Sequence, residues 1–396
     1  MPRRLKPGAA VPRLRRRAPA IVAVTIAIAL AVASLYALEA LAGWLLPAPR
    51  PPPNPDDPYF ATLAPEESHA YARAHYDSFT VWGYADFAGR HVTIENGFRR
   101  TAQPAPGFGG SSQVIWFFGG STMLGQGSSD ADTIPSQTCA ELARRHVNLT
   151  WRCRNFGLGG YVSTQSMVLL LTLLREPGRE RPDHVIFYDG INDVIAAWEG
   201  HPGDHHNFPH LQARIERAPH GWAMALSTAL QDLRNFAASQ FPRIFRLARG
   251  GGADRDNPNT GGGRKPDDRV LADAHRAAAF YIGNVHTLGD WADGARIPTV
   301  FALQPTVFTK TPLSPVEVEV RRRAEAAFAP LWQAFRDGVL TTPPADRDFL
   351  RFADLSAALN GAPDTMFYDD WMHLNAAGNR AIASRLADLI EPAELF

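Results

Sequence analysis

Cysteine is nearly absent: Cys139 and Cys153 are the only two in 396 residues. That excludes a disulfide-dense scaffold, and with no CxxC pair and no zinc-like spacing no structural metal site is expected. Lysine is scarce too, supplying three of the 40 basic residues, and net charge is missing altogether because 40 acidic residues balance them. Nucleic-acid binders carry a basic excess on their folded part, so no nucleic-acid partner is expected. No internal repeat is evident. What remains is 45% hydrophobic and 20% charged, an ordinary globular composition, neither disordered nor collagen-like. The chain is long enough for one large domain or two modest ones.

The zero charge is unevenly spread. Residues 1–17 hold seven basic residues (Arg3, Arg4, Lys6, Arg13, Arg15, Arg16, Arg17) and no acidic one, which leaves −7 on the remainder. Ala18 to Leu38 then runs 21 residues without a charge. As a helix that is about 30 Å, enough to cross a bilayer core. Basic residues precede it and Asp56, Asp57, Glu66 and Glu67 follow it. The positive-inside rule therefore keeps the N-terminus cytoplasmic and exports the rest. The expectation is a single-pass inner-membrane protein whose main domain is periplasmic or otherwise extracytoplasmic.

A cleaved signal peptide ending near Ala40-Leu41-Ala42 is the competing reading. The apolar stretch exceeds the roughly 7–15 residues of a signal h-region, which favours an uncleaved anchor. Residues 47–58 contain seven prolines, a semi-rigid polyproline spacer that sets a domain boundary near residue 59. In an oxidising compartment Cys139 and Cys153 are able to pair; two buried thiols are the alternative, and the residues leave that choice open.

From about residue 110, strand-like and helix-like segments alternate. Apolar runs at Gln113–Phe118, Leu149–Asn155, His184–Tyr188, Pro298–Gln304 and Phe349–Leu355 read as strands. Helical spacing covers Ser136–His146, Thr164–Leu174, about 269–292 and about 315–337, and Asn375 is a suitable N-cap for a last helix. Between them, 199–268 is irregular, with a helical patch near 222–248 and a polar Gly-rich run that reads as a mobile loop. Such alternation indicates an α/β fold with a mainly parallel sheet, whose ligands bind beyond the carboxyl ends of the strands.

Four short blocks carry chemistry. Phe118-Gly119-Gly120-Ser121-Thr122 follows the first strand, and small residues there give a serine hydroxyl the open approach a nucleophile needs. Alone it reads as a turn. Asn155-Phe156-Gly157-Leu158-Gly159-Gly160 follows the second strand and offers unobstructed backbone N–H groups to a developing oxyanion; alone it, too, reads as a tight strand-to-helix turn. Gly190-Ile191-Asn192-Asp193 follows the third. Asn192 is an uncharged donor, or else an Asx cap, while Asp189 and Asp193 suit a bracing role. Near the C-terminus, Asp370 and His373 are spaced to share one face of a helical turn, where Asp370 would orient the imidazole toward Ser121. A lone DxxH is otherwise a surface ion pair.

In that order the blocks resemble those of the SGNH (GDSL-like) hydrolase superfamily, over roughly residues 113–390. The resemblance implies a three-layer α/β/α flavodoxin-like fold and serine esterase chemistry. It puts the nucleophile on Ser121, the acid and base on Asp370 and His373, and the oxyanion donors on Ser121 N–H, Gly160 and Asn192, with no cofactor and no metal. Two departures stand out: GGST replaces the commoner GDS, and the insertion after the third block is long. The expected organisation is a basic tail (1–17), a transmembrane anchor (18–46), a linker (47–58), an N-terminal extension (59–112) and a hydrolase domain (113–396) with its insertion at about 199–268. Resemblance and location together favour an exported esterase acting on O-acyl, foremost O-acetyl, esters of carbohydrate. The rivals are an O-acyltransferase acting on exported polysaccharide, a lysophospholipase or thioesterase acting on lipid, and a non-catalytic polysaccharide-assembly protein.

Weaker features remain. His201, His205, His206 and His210 cluster with Asp204, but their spacing fits no standard zinc site. Asn148-Leu149-Thr150 is a glycosylation sequon only in a eukaryotic source. Trp371, between the acid and base positions, suits either an acyl-pocket wall or core packing.

Overall fold

The computed structural model describes residues 18–45, 62–201, 205–206, 240–241, 243–244, 265–368 and 370–390. The basic tail, the proline-rich linker, most of the insertion, Asp204 and His210 lie outside them. The described residues fall into two compact units.

The first unit is built on helix α1, Ala18–Leu45. Its segment Val22–Trp44 has a mean hydropathy of 2.1 and is long and apolar enough to cross a membrane. Glu39, the one acidic residue of α1, accepts the backbone N–H groups of Arg243 and Ile244 at 2.8 and 2.9 Å. Tyr36 meets Phe241 edge-on with ring centroids 5.0 Å apart. Residues 240–241 and 243–244 of the expected insertion therefore belong with this helix.

The second unit opens with α2 (Ala64–Tyr71), the antiparallel hairpin β1 (Ala74–Asp77) and β2 (Val81–Tyr84), and a small antiparallel sheet of β3 (Phe87–Ala88), β4 (Thr93–Glu95) and β5 (Phe98–Arg99). Then comes the alternation that the apolar runs predict. It runs β6 (Ser111–Gly119), α3 (Ser121–Leu124), α4 (Ile134–Arg145), β7 (Leu149–Asn155), α5 (Ser163–Leu174), β8 (His184–Asp189) and α6 (Ile191–Trp198). After the insertion follow α7 (Asp268–Ala295), β9 (Thr299–Leu303), α8 (Pro315–Thr341), β10 (Leu350–Asp354) and α9 (Ala376–Leu389). Asn375 caps α9, its Oδ1 accepting from Ala377 and Gly378 N–H.

The five long strands pair in parallel in the order β10-β9-β8-β6-β7. Every residue of the inner strands β8 and β9 is buried, as strands covered on both faces must be, whereas edge strand β7 alternates. Helices α4 and α9 pack together on one side, and α5, α6, α7 and α8 on the other. The result is the expected three-layer α/β/α architecture with the flavodoxin-like strand order. That order reverses at β6, whose successors lie on opposite sides of it. The crevice beyond the carboxyl ends of β6 and β8 is therefore where a ligand of such a sheet binds.

The free edge of β7 is closed by side chain and loop rather than by another strand. Gln103 Oε1 accepts Cys153 N–H at 3.1 Å while its Nε2 donates to Cys153 O at 2.8 Å. The N–H groups of Phe108 and Gly109 donate to the carbonyls of Val147 and Asn148. An edge so occupied has no ladder left at those positions to offer another chain. Cys153 also forms a disulfide with Cys139 of α4, 14 positions away, which decides between pairing and buried thiols. Closing a loop of that length in the unfolded chain contributes about 3 kcal/mol. The Cys139→Ser/Cys153→Ser variant should lose about that much stability in denaturant unfolding, and reductant should destabilise wild type but not the variant. Equal curves for all samples would contradict this.

Candidate active site

Ser121 is the first residue of α3, separated from β6 only by Gly120, so its side chain stands at the head of the crevice. Its Oγ lies 2.7 Å from His373 Nε2, and His373 Nδ1 lies 2.6 Å from Asp370 Oδ2. All three side chains are nearly enclosed, Ser121 being 8% exposed and His373 3%. Asp370 Oδ1 separately accepts the N–H groups of Met372 and His373, at 3.0 and 2.8 Å. Burial alone would raise the Asp370 carboxyl, but the charge and hydrogen bonds of His373, with the two backbone donors, outweigh it and hold the group below its ordinary value. The carboxylate is thus ionised where it meets the imidazole.

The reason Asp370 and His373 meet differs from the expectation. The segment is a bend rather than a helical turn, and α9 begins only at Ala376. Their juxtaposition comes from the Asx-type turn that Oδ1 of Asp370 closes on its own i+2 and i+3 amides. Around it, Phe367 and Leu374 form an antiparallel bridge. Trp371 is fully buried, stacked between Phe308 (5.4 Å) and Phe328 (4.8 Å). Of its two readings, core packing is the one observed.

Asn192 lies in the first turn of α6 but does not cap it, because the N-cap is Gly190 and has no side-chain bond. The Asn192 amide instead crosses to the first block. Its Nδ2 donates to Tyr161 O at 2.8 Å and sits against the backbone of Gly120, where a Cβ would collide with it. An amide nitrogen carries two hydrogens, and Tyr161 takes one. Gly120→Ala should therefore displace Asn192 and misplace the donor beside Ser121. Since a displacement of about 1 Å can cost 10²-fold, kcat should drop by about that factor in steady-state ester hydrolysis; an unaffected kcat would show that the contact yields harmlessly. Gly160 occupies the left-handed region at φ +79°, which a side chain would strain.

Of the two carboxylates flanking Asn192, Asp193 braces the start of α5. Asp193 accepts from Ser163 Oγ (2.7 Å) and Ser163 N–H (3.2 Å), and Asn284 of α7 donates to the same hydroxyl. Burial pushes Asp193 up to about 7. Asp189, fully buried, is pushed well above the ordinary carboxyl range by burial and then by Asp193. His201 stacks on His205 at 4.0 Å, and His206 meets His205 at a tilt with ring centroids 4.5 Å apart. Among the described residues no three His, Cys, Asp or Glu side chains are placed to hold a metal ion.

Several contributors to the site have partners that the sequence does not reveal. Asn155 ties the second block to the first, donating to Met123 O at 2.9 Å and accepting Gly157 N–H. The N-terminal extension grips the loop that follows Ser121. Glu67 accepts Gly127 N–H, and the buried Arg99 pairs with Asp130 at 2.6 Å while donating to Ser128 O. Trp82 donates to Gly159 O at 3.1 Å, and its indole lies beside Gly160.

No protein-family model matches the sequence, and no curated protein matches it. Solved structures similar to it include an acetyl xylan esterase from Geobacillus stearothermophilus, at 13% identity over 72% of this chain and 99% of that one, with a TM-score of 0.35. A lipolytic protein of the G-D-S-L family from Veillonella parvula matches at 10% identity over 70% of this chain and 97% of its own, TM-score 0.34. A two-domain esterase active on acetylated mannans matches at 11% identity over 71% and 48%, TM-score 0.34. Likeness this distant decides neither fold nor chemistry, both of which rest on the geometry above.

Proposed function

We propose that this chain is a serine esterase of the SGNH type that works through an acyl-enzyme. The observation that carries the reading is the unbroken hydrogen-bonded series Ser121–His373–Asp370 at the point where the strand order reverses. His373 takes the Ser121 proton as Oγ attacks an ester carbonyl, and Asp370 stabilises the imidazolium. The oxyanion is received by the N–H groups of Ser121 and Gly160 and by Asn192 Nδ2. His373 then protonates the departing alcohol, and water, activated by the same imidazole, releases the acid.

The substrate in this reading is an O-acyl, foremost O-acetyl, ester of carbohydrate. Two of the similar solved structures are described as acting on acetylated xylan or mannan, and a remainder at −7 suits a neutral sugar better than a polyanion. Anchoring by α1 with an exported catalytic domain is part of the proposal. The basic tail before α1 supports that orientation, and the Cys139–Cys153 disulfide suits an oxidising compartment.

Fluorophosphonate labelling of wild type and Ser121→Ala tests the chemistry, followed by acetate release from acetylated sugars. Labelling that persists in Ser121→Ala would sink the reading. Acetate transfer that needs an acceptor glycan would replace hydrolysis with acyl transfer. Protease added to spheroplasts should digest the chain beyond residue 59; protection would overturn the export.

A further inference from the structure

Lys310 is fully buried. Lys310 and Glu317 form an ion pair at 2.7 Å, with neither side chain exposed. Taking two charges out of water costs several kcal/mol per ion, and an apolar pair of similar volume often serves stability as well. Helix capping alone gives no reason for that burial. Glu317 is the N3 residue of a capping box with Ser314 at the start of α8, a duty that a surface Glu or Gln performs equally well.

Its second carboxylate oxygen shows what the burial accomplishes. Oε2 is occupied by Ser314 N–H (2.9 Å) and Lys310 Nζ. Oε1 reaches 49 and 50 residues along the chain to accept the N–H groups of Met366 (2.8 Å) and Phe367 (3.3 Å). These residues open the hairpin that ends in His373. Phe367 bridges to Leu374, Tyr368 N–H donates to His373 O, and Asn375 N–H donates to Met366 O. The same base is gripped again through Thr365, which donates to Ser314 Oγ and accepts Asn375 Nδ2. Lys310 also donates to Pro312 O, fixing the ammonium whose charge the carboxylate needs.

We infer that Glu317, neutralised by Lys310, is the positioning residue of the Asp370–His373 hairpin, setting the height at which the imidazole meets Ser121. The inference rests on the serine-esterase reading for its consequence in turnover, but not for its geometry. Glu317 touches no substrate. It acts through two backbone amides, and a displacement of about 1 Å at a catalytic group costs about 10²-fold.

The test uses the full-length protein in detergent, with Glu317→Gln and the double variant Lys310→Met/Glu317→Gln, which leaves no unpaired buried charge if the single variant fails to fold. Glu319→Gln, a half-buried position on α8 paired with Arg322 and Arg323, is the control. In the folded variant kcat for p-nitrophenyl acetate should fall by about 10²-fold with KM within about threefold, while Glu319→Gln stays at wild type. The downfield proton resonance of His373 Nδ1–H, assigned by its loss in Asp370→Asn, should shift or vanish in the same variant. A folded variant with wild-type kcat and an unmoved resonance overturns the inference. If wild type turns over no ester, the resonance alone decides: its change sustains the positioning role, and its persistence ends it.

Discussion

Asp370→Asn should lower kcat by about 10⁴-fold while the protein stays folded. The two oxygens of Asp370 have separate duties, which makes the substitution informative. Oδ1 holds the N–H groups of Met372 and His373, and Oδ2 faces His373 Nδ1. Asparagine keeps the first duty with its carbonyl, so the turn survives, and its NH₂ group is thereby turned toward Nδ1. Two donors cannot share that contact, so the imidazole moves its proton to Nε2, the nitrogen that faces Ser121. A protonated Nε2 cannot accept from the serine hydroxyl. Steady-state hydrolysis and the rate of fluorophosphonate labelling should drop together, with melting little changed. A loss under tenfold in a folded variant, far short of the roughly 10⁴ expected of a triad carboxylate, would remove the Asp370–His373 pair from the chemistry.

Asn192→Ala should cost about 10²–10³-fold in kcat, the usual effect of deleting one oxyanion donor. It also strips Tyr161 O of its partner at 2.8 Å, and an orphaned buried acceptor costs about 1–3 kcal/mol. Some loss of stability is therefore expected and must be separated from the kinetic loss. Asn192→Asp does this. It is nearly isosteric, but its charge would oppose the oxyanion, so it should be slower than Asn192→Ala in the kcat of ester hydrolysis. The reverse order would mean that Asn192 fills space rather than stabilising charge.

Much of this site was legible because the sheet is simple. The inner strands are continuous apolar runs, His184–Asp189 and Thr299–Leu303 being buried at every position, and such runs stand out from polar loops without any alignment. Three of the four blocks sit directly after strands of this sheet, two inner and one at the edge, where a parallel sheet presents its ligand sites. The spacing of Asp370 and His373 was legible as a pairing but not as a geometry, since a helix and an Asx turn both bring i and i+3 together.

The N-terminal extension was opaque for a physical reason. Its strands are two to four residues long, too short for any period to register. Glu67, Arg99 and Trp82 act over 29 to 77 positions of sequence, through hydrogen bonds that leave no local pattern. Glu317 was hidden differently. Its spacing from Ser314 is that of a capping box, and nothing in the helix announces that its other oxygen is committed elsewhere.

Ser121 and His373 lie 252 positions apart, and this separation gives the protein a clock. In the proposed mechanism, the nucleophile leaves the ribosome well before its base has been made. At roughly 5–20 residues per second its base follows about 10–50 s later. Until then Ser121 is an ordinary alcohol, and any truncated or stalled product ending before residue 373 is inert by construction. In the proposed mechanism, activity is granted only when the hairpin carrying His373 closes on the end of the first long strand.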